Sequence, residues 1–342
     1  MSHSEKTGSI TTRCLGAMLL LLGLGDTAGA VCRGKDLLPE LQRQKPAVVN
    51  RIDQEAARMP FANGKLFRVT KGGVSPSYFF GTIHSGDTRV TNFSPALLKI
   101  VDDASSVAFE LKEVGGMNDP EVQQQMGLSL LTHVMASSDD KVSALFPPAE
   151  QEKIRGLAGE YGIPVEAVDI YKAGFLALAF SIPVCEAKNH GKIPGVDELL
   201  ARRVMSDGKS IIGLETIAEQ LEATADHPPE TQKALLASVV QSNAMLEDLF
   251  ETTIRFYAAG EIGKLLLWSK SEELTPGTDA VQATEAVMAT LIDMRNRRMF
   301  DRSRPLVDKG NAFVAVGAAH LPGETGVLRL YEKAGYTVER VE

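Results

Sequence analysis

Apolar residues recur with two different rhythms along this chain. Near its ends they form short uninterrupted blocks bounded by glycine and polar residues, as buried strands do. In the middle they return every three or four positions, as on one face of a helix. Residues 33–60 predict a helical lead-in. Leu66-Phe67-Arg68-Val69-Thr70 predicts a strand, Lys71-Gly72-Gly73-Val74 a hairpin turn, and Tyr78-Phe79-Phe80-Gly81-Thr82-Ile83-His84 a second strand. Ser94 and Pro95 suit the cap and first position of a helix running to about Asp102. Ser106 to Leu111 is the next strand. From about 118 to 300 the rhythm is helical, with long amphipathic helices over 230–260 and 280–304 and one short strand from Ser210 to Glu215. Lys309-Gly310-Asn311 turns into the block Phe313-Val314-Ala315-Val316-Gly317-Ala318-Ala319-His320. A helix over Val327–Ala334, stopped by Gly335, precedes a last strand over 336–341.

The two ends share one grammar: strand, Gly-x-x-His, polar loop, helix, strand. This predicts an α/β fold of pseudo-duplicated βαβ-like halves forming a central sheet, with a large helical insertion at about 118–300. The domain would occupy residues 31–342. Each half would deliver one imidazole, His84 or His320, at the C-terminal end of a buried strand, where open α/β sheets place ligands and catalytic groups.

Residues 1–30 read as a signal peptide. Lys6 and Arg13 precede an apolar stretch from Cys14 to Gly25, and Ala28-Gly29-Ala30 offers a small-x-small cleavage site. The mature chain is therefore expected outside the cytoplasm, periplasmic or secreted, with no stable membrane span; an uncleaved N-terminal anchor is the alternative. Removal of Cys14 leaves Cys32 and Cys185, which in an oxidising compartment are expected to form a disulfide. Two free buried thiols are the other possibility. The 342 residues carry a net charge of −8 with no basic stripe, which argues against a nucleic-acid partner.

Imidazole suits a site at neutral pH because it titrates there and binds transition metals. A pair of merely hydrogen-bonded histidines at strand ends would leave the same pattern. Glu110 ends the apolar run Val107-Ala108-Phe109, and a buried carboxylate is costly unless paired or metal-bound. It is a candidate metal ligand, general base or ion-pair partner. Glu215 ends a similar run, though it would also serve as the first acidic residue of a helix over Thr216–Ala223. Asp197 is a further candidate site residue, although helix capping alone would account for it. Arg295 and Arg298 share one helical face and would either grip a substrate carboxylate, hold Glu110 in place, or form a solvated face. Serine-hydrolase, P-loop and dinucleotide-binding signatures do not occur.

Taken in order, these pieces resemble the TraB/GumN family, which includes the Tiki-type proteases. The resemblance rests on Tyr78 to Asp87, Phe109-Glu110-Leu111, Gly195 to Leu200, Gly213-Leu214-Glu215-Thr216, Arg295 to Met299, Phe313 to Leu321 and Gly335 to Glu339. It implies two similar halves around one site, a fold related to erythromycin-esterase-like and haem-binding ChaN-like proteins. It implies that His84 and His320 line that site, and it maps a family glutamate to Glu110 and an arginine-rich motif to Arg295 and Arg298. Tiki-type members look like metal-dependent proteases using manganese or cobalt. The expected function is an exported metal-dependent hydrolase, most simply a peptidase, with a divalent metal on His84, His320 and Glu110 and with Glu110, Glu215, Arg295 and Arg298 as catalytic candidates. A non-catalytic protein binding peptide, haem or metal, or a metal-free esterase-like hydrolase acting on a small molecule, are the alternatives.

Overall fold

The architecture was obtained as a computed structural model that describes residues 32–342 apart from 116–119, 190–191, 272–281, 284 and 286. The expected signal peptide at 1–30 lies outside the described residues. Six strands form one mixed sheet in the order β4-β3-β5-β2-β1-β6. They are β1 Leu66–Thr70, β2 Ser77–Thr82, β3 Ser106–Leu111, β4 Ile211–Glu215, β5 Ala312–Gly317 and β6 Thr337–Arg340. The pairs β4–β3, β3–β5 and β5–β2 are parallel; β1 is antiparallel to both of its neighbours.

This is the expected α/β class, with both halves visible. β2 leads through the helix Pro95–Asp103 to β3, and β5 leads through the helix Val327–Lys333 to β6. Within each half the two strands run the same way, but neither pair is adjacent. β5 inserts between β2 and β3, while β2 and β1 separate β5 from β6. The halves thus interlock, and the C-terminal ends of β2, β3, β4 and β5 meet along one edge.

Apolar residues on the two faces of the strands bury against different helices. Phe80, Val107, Phe109 and Phe313 pack with Leu200, Val204 and Ile254 on one face. Phe79, Ala108, Val314 and Val316 pack with Met299, Leu328 and Tyr331 on the other. Central parallel strands buried on both faces explain the near-continuous apolar runs. A separate helical cluster around Leu176, Phe180 and Leu236 lies within the stretch between β3 and β5.

Several boundaries differ from expectation. The lead-in is two helices, Leu38–Gln44 and Pro46–Arg58, divided where Pro46 starts a new first turn. The long helix expected over 230–260 breaks into Pro229–Ser242, a 3-10 turn at Asn243–Met245, and Leu246–Ala258. At that break Ser242 Oγ donates back to Ser238 O (2.9 Å), a local bond that competes with the helical ladder. The helix expected to end near 304 runs as Arg295–Lys309 through Pro305 and buries Val307 beyond it. It is preceded by a π-helical turn at Ala289–Met294.

Cys32 and Cys185 are joined (Cα–Cα 5.3 Å), which ties the first described residue to the helix Val184–Asn189. The segment after Cys32 lies along the helix Leu246–Ala258. Its alternate backbone N–H groups donate to side chains there: Arg33 to Glu247 Oε2 (2.8 Å), Lys35 to Asp248 Oδ1 (2.7 Å) and Leu37 to Thr252 Oγ1 (2.9 Å). No described helix is long and apolar enough to cross a membrane.

Candidate functional site

β2 and β5 run side by side with Thr82 opposite Gly317, so both Gly-x-x-His segments leave the sheet at the same edge. The two glycines do different jobs. A Cβ on Gly81 would lie 2.8 Å from Leu321 Cδ1 and 2.9 Å from Ala318 Cα. Its absence lets the 3-10 turn Ala318–His320 close over β2 and carry His320 inward. Gly317 sits against Glu110: an added Cβ would be 3.1 Å from Oε1, and its N–H donates to that oxygen at 2.6 Å.

The histidines occupy opposite environments. The His320 side chain is 4% exposed and hydrogen-bonds through Nδ1 to Asn296 Oδ1 (2.7 Å). The His84 side chain is 75% exposed and bonds through Nδ1 to Asp197 Oδ2 (2.9 Å). Burial pushes the His320 imidazole down to about 4; Glu110 pulls the other way and loses. Asp197, by its charge and its hydrogen bond, raises the His84 imidazole above its ordinary value, and water on the open face of the ring screens that pull.

Glu110, at the end of β3, stands between the halves. Its Oε2 accepts from Arg295 Nη2 (2.7 Å) and Gln220 Nε2 (3.0 Å). Its Oε1 accepts from the Gly317 N–H and lies 3.7 Å from His320 Nε2, too far for a hydrogen bond. Burial pushes the carboxyl up, but the charges of His320 and Arg295 and the Gly317 N–H outweigh it and hold the group down to about 2. His320 is uncharged at neutral pH, so there Arg295, the His84 imidazolium and the Gly317 N–H carry the effect.

Glu215 ends β4 opposite Leu111 and is fully buried. It is a strand residue and not the start of the next helix. That helix, Ile217–Ala225, is capped by Thr216 in a reciprocal box with Glu219. Arg295 reaches Glu215 through Nε (2.9 Å) and Nη2 (2.7 Å), and Arg298 Nη1 adds a contact at 3.2 Å. Burial works against the Arg295 charge, yet Glu110 and Glu215 more than offset it and raise its pKa. Arg295 is thus spent on two carboxylates. Arg298, about a quarter exposed, spans Glu215 and, more distantly, Glu219.

Three further residues belong to this edge. Gln220 bridges toward both glutamates. Asn296 is wholly buried against His320. Asp197 does not cap its helix: the cap position of Val196–Ser206 is Gly195, and the Asp197 side chain turns to His84 instead. Helical position hid the partners of all three, because polar residues near the start of a helix look like caps. Proximity across the fold is what distinguishes them.

Imidazole Nε2 atoms with a carboxylate oxygen make a chemically suitable donor set for manganese, cobalt or zinc. A metal-bound histidine commonly gives its other nitrogen to a carboxylate or amide acceptor, as both do here. Among the described residues, however, no three His, Cys, Asp or Glu side chains form a ready-made cage. The donors fit in kind, and a cation would have to draw them together. A cavity of about 290 Å³ lined by Leu38, Val49, Ile52, Phe256 and Trp268 lies elsewhere, among the N-terminal helices.

Comparison with known proteins finds relatives for most of the chain. The chain is 25% identical over 315 residues to Metalloprotease TIKI1 of Homo sapiens and 24% identical over 306 residues to Metalloprotease TIKI2 of Danio rerio. Each match covers 77% of this chain but only 59% and 58% of the relative, so the chain spans somewhat over half the length of these curated proteins. No solved structure matches it. The model of the TraB/PrgY/gumN family matches residues 65–340, from β1 through β6 and hence every strand of the sheet, and the chain belongs to that family.

Proposed function

We propose that this chain is an exported, metal-dependent hydrolase acting on peptide bonds. The observation that carries the reading is the single sheet edge that gathers His84, His320 and an ionised, buried Glu110. His84 Nε2, His320 Nε2 and Glu110 would hold a divalent cation, manganese or cobalt by analogy with the relatives. When bound, the cation would supply Lewis acidity, lowering the pKa of a water and polarising a carbonyl. Glu110 would serve either as the third ligand or, if it stays outside the ligand set, as the base for the attacking water. Arg295 and Glu215 hold the Glu110 carboxylate in place, and Arg298 is the more accessible cation for an anionic group of the substrate. The names of the TIKI relatives support the peptidase assignment. The disulfide supports export, since such bonds persist outside reducing compartments.

A metal-free hydrolase is the second reading, favoured by one observation. His84 faces solvent with its Nδ1 held by the buried Asp197, the form of a carboxylate-oriented general base. Metal analysis of the purified protein, followed by peptide cleavage with and without chelator, separates the two. We expect bound metal and chelator-sensitive cleavage, with His84→Ala and His320→Ala each abolishing turnover in a folded protein. Full activity in either variant removes the proposal; cleavage indifferent to chelator transfers it to the second reading.

A further inference from the structure

The helix Arg295–Lys309 places two adjacent side chains on two members of the site. Arg295 holds Glu110, and Asn296 holds His320. The Asn296 contact is more constrained than a lone hydrogen bond. Its side-chain Nδ2 donates to the carbonyl of Thr325 (2.9 Å), so its Oδ1 is the atom turned to His320. An amide oxygen only accepts, and His320 Nδ1 must therefore carry the proton. The Thr325 carbonyl is itself fixed, because Thr325 Oγ1 donates to Asp293 Oδ1 (2.6 Å) in the π-helical turn. A chain of three polar contacts thus runs from Asp293 to a histidine sealed from water. A neutral imidazole protonated at Nδ1 has a bare Nε2, and this one sits 3.7 Å from Glu110 Oε1.

We propose that Asn296 is a positioning residue that locks the ring orientation of His320 and places the proton of its neutral form on Nδ1, turning Nε2 toward Glu110. His84 is held through the same nitrogen by a different group, the charged Asp197 on the solvent side. The ring geometry stands without any assumption about turnover; only the cation arm of the test rests on the metal-dependent reading.

Long-range proton–nitrogen NMR of metal-free, 15N-histidine-labelled protein at neutral pH reads the tautomer directly. We expect His320 to be protonated at Nδ1 in the native protein. Asn296→Ala should produce a mixture with the Nε2–H form, and Asn296→Asp, which keeps an acceptor at that place, should restore Nδ1–H. Cobalt titration followed by calorimetry should show affinity falling about 10–100-fold in Asn296→Ala, the usual effect of losing such a partner, with recovery in Asn296→Asp. An Nε2–H signal in the native protein overturns the proposal even if Asn296→Ala does not fold. So does Asn296→Ala that keeps both the native tautomer and native cobalt affinity. If the native protein shows Nδ1–H but binds no cation, the metal-dependent reading fails and the positioning role stands.

Discussion

Replacing Arg295 with methionine tests the electrostatic framework of the site most directly. The guanidinium side chain is 10% exposed and lies between Glu215, fully buried, and Glu110, 11% exposed. Removing it leaves two carboxylates facing each other with reduced compensation. Breaking a buried ion pair from one side costs about 3–5 kcal/mol, because an uncompensated charge stays buried. Glu215 keeps Arg298, and Glu110 keeps the Gly317 N–H and Gln220, so the expected loss is at the lower end, about 3 kcal/mol at pH 7. Urea unfolding of Arg295→Met against the native protein measures it. The pH dependence has a definite sign. In the native protein the Glu110 pKa is depressed, so its contribution is present above the unfolded value and is lost as pH falls through the folded one, about 2. Without Arg295 that depression weakens and the carboxylate pair accepts a proton more readily. The gap between variant and native protein should therefore narrow from pH 7 to pH 4. Adding Glu110→Gln and Glu215→Gln to the methionine variant should recover part of the loss, since the repulsion is gone. A loss below about 1 kcal/mol at pH 7, or one unchanged at pH 4, would refute the account of a guanidinium bridging two buried carboxylates.

Two further outcomes follow from packing and covalent linkage. Gly81→Ala should destabilise the fold by about 1–3 kcal/mol, because the added methyl meets Leu321 and Ala318 at the turn carrying His320; unfolding at the native midpoint would contradict the close-approach argument. The Cys32→Ser/Cys185→Ser variant frees a loop with a sequence separation of 153 residues and should lose up to about 5 kcal/mol in the chain-entropy account. Matched denaturant curves for the two forms would show the N-terminal segment to be held by its hydrogen bonds to the helix Leu246–Ala258 alone.

The parts of the site at strand ends, Glu110 and Glu215, or just beyond them, His84 and His320, were legible because a charge or an imidazole after an apolar run is conspicuous. His84, His320, Glu110 and Glu215 all have that signature. The helical contributors had no comparable signal. Asp197 sits where a capping residue would, and only the fold, which closes a sequence separation of 113, reveals His84 as its partner. Arg295 and Arg298 share a helical face, as their spacing says, but a run of charges does not disclose that two buried carboxylates face it. The π-helical turn before Arg295 also departs from the 3.6-residue period, so no periodic reading would locate it. The interlocking of the halves was hidden as well. Repetition of strand, loop and helix says nothing about which strand lies between which others.

That interlocking gives β5 an unusual place in the life of the molecule. It is nearly the last strand to leave the ribosome, yet it is the one that joins β3 to β2. Until residues 312–317 are available, β1–β2 and β3–β4 are separate ribbons with both edges open, and neither ribbon alone collects the site. Completion of the sheet therefore waits on β5. A chain cut before Ala312 should be a sticky, inactive remnant and not a smaller working protein.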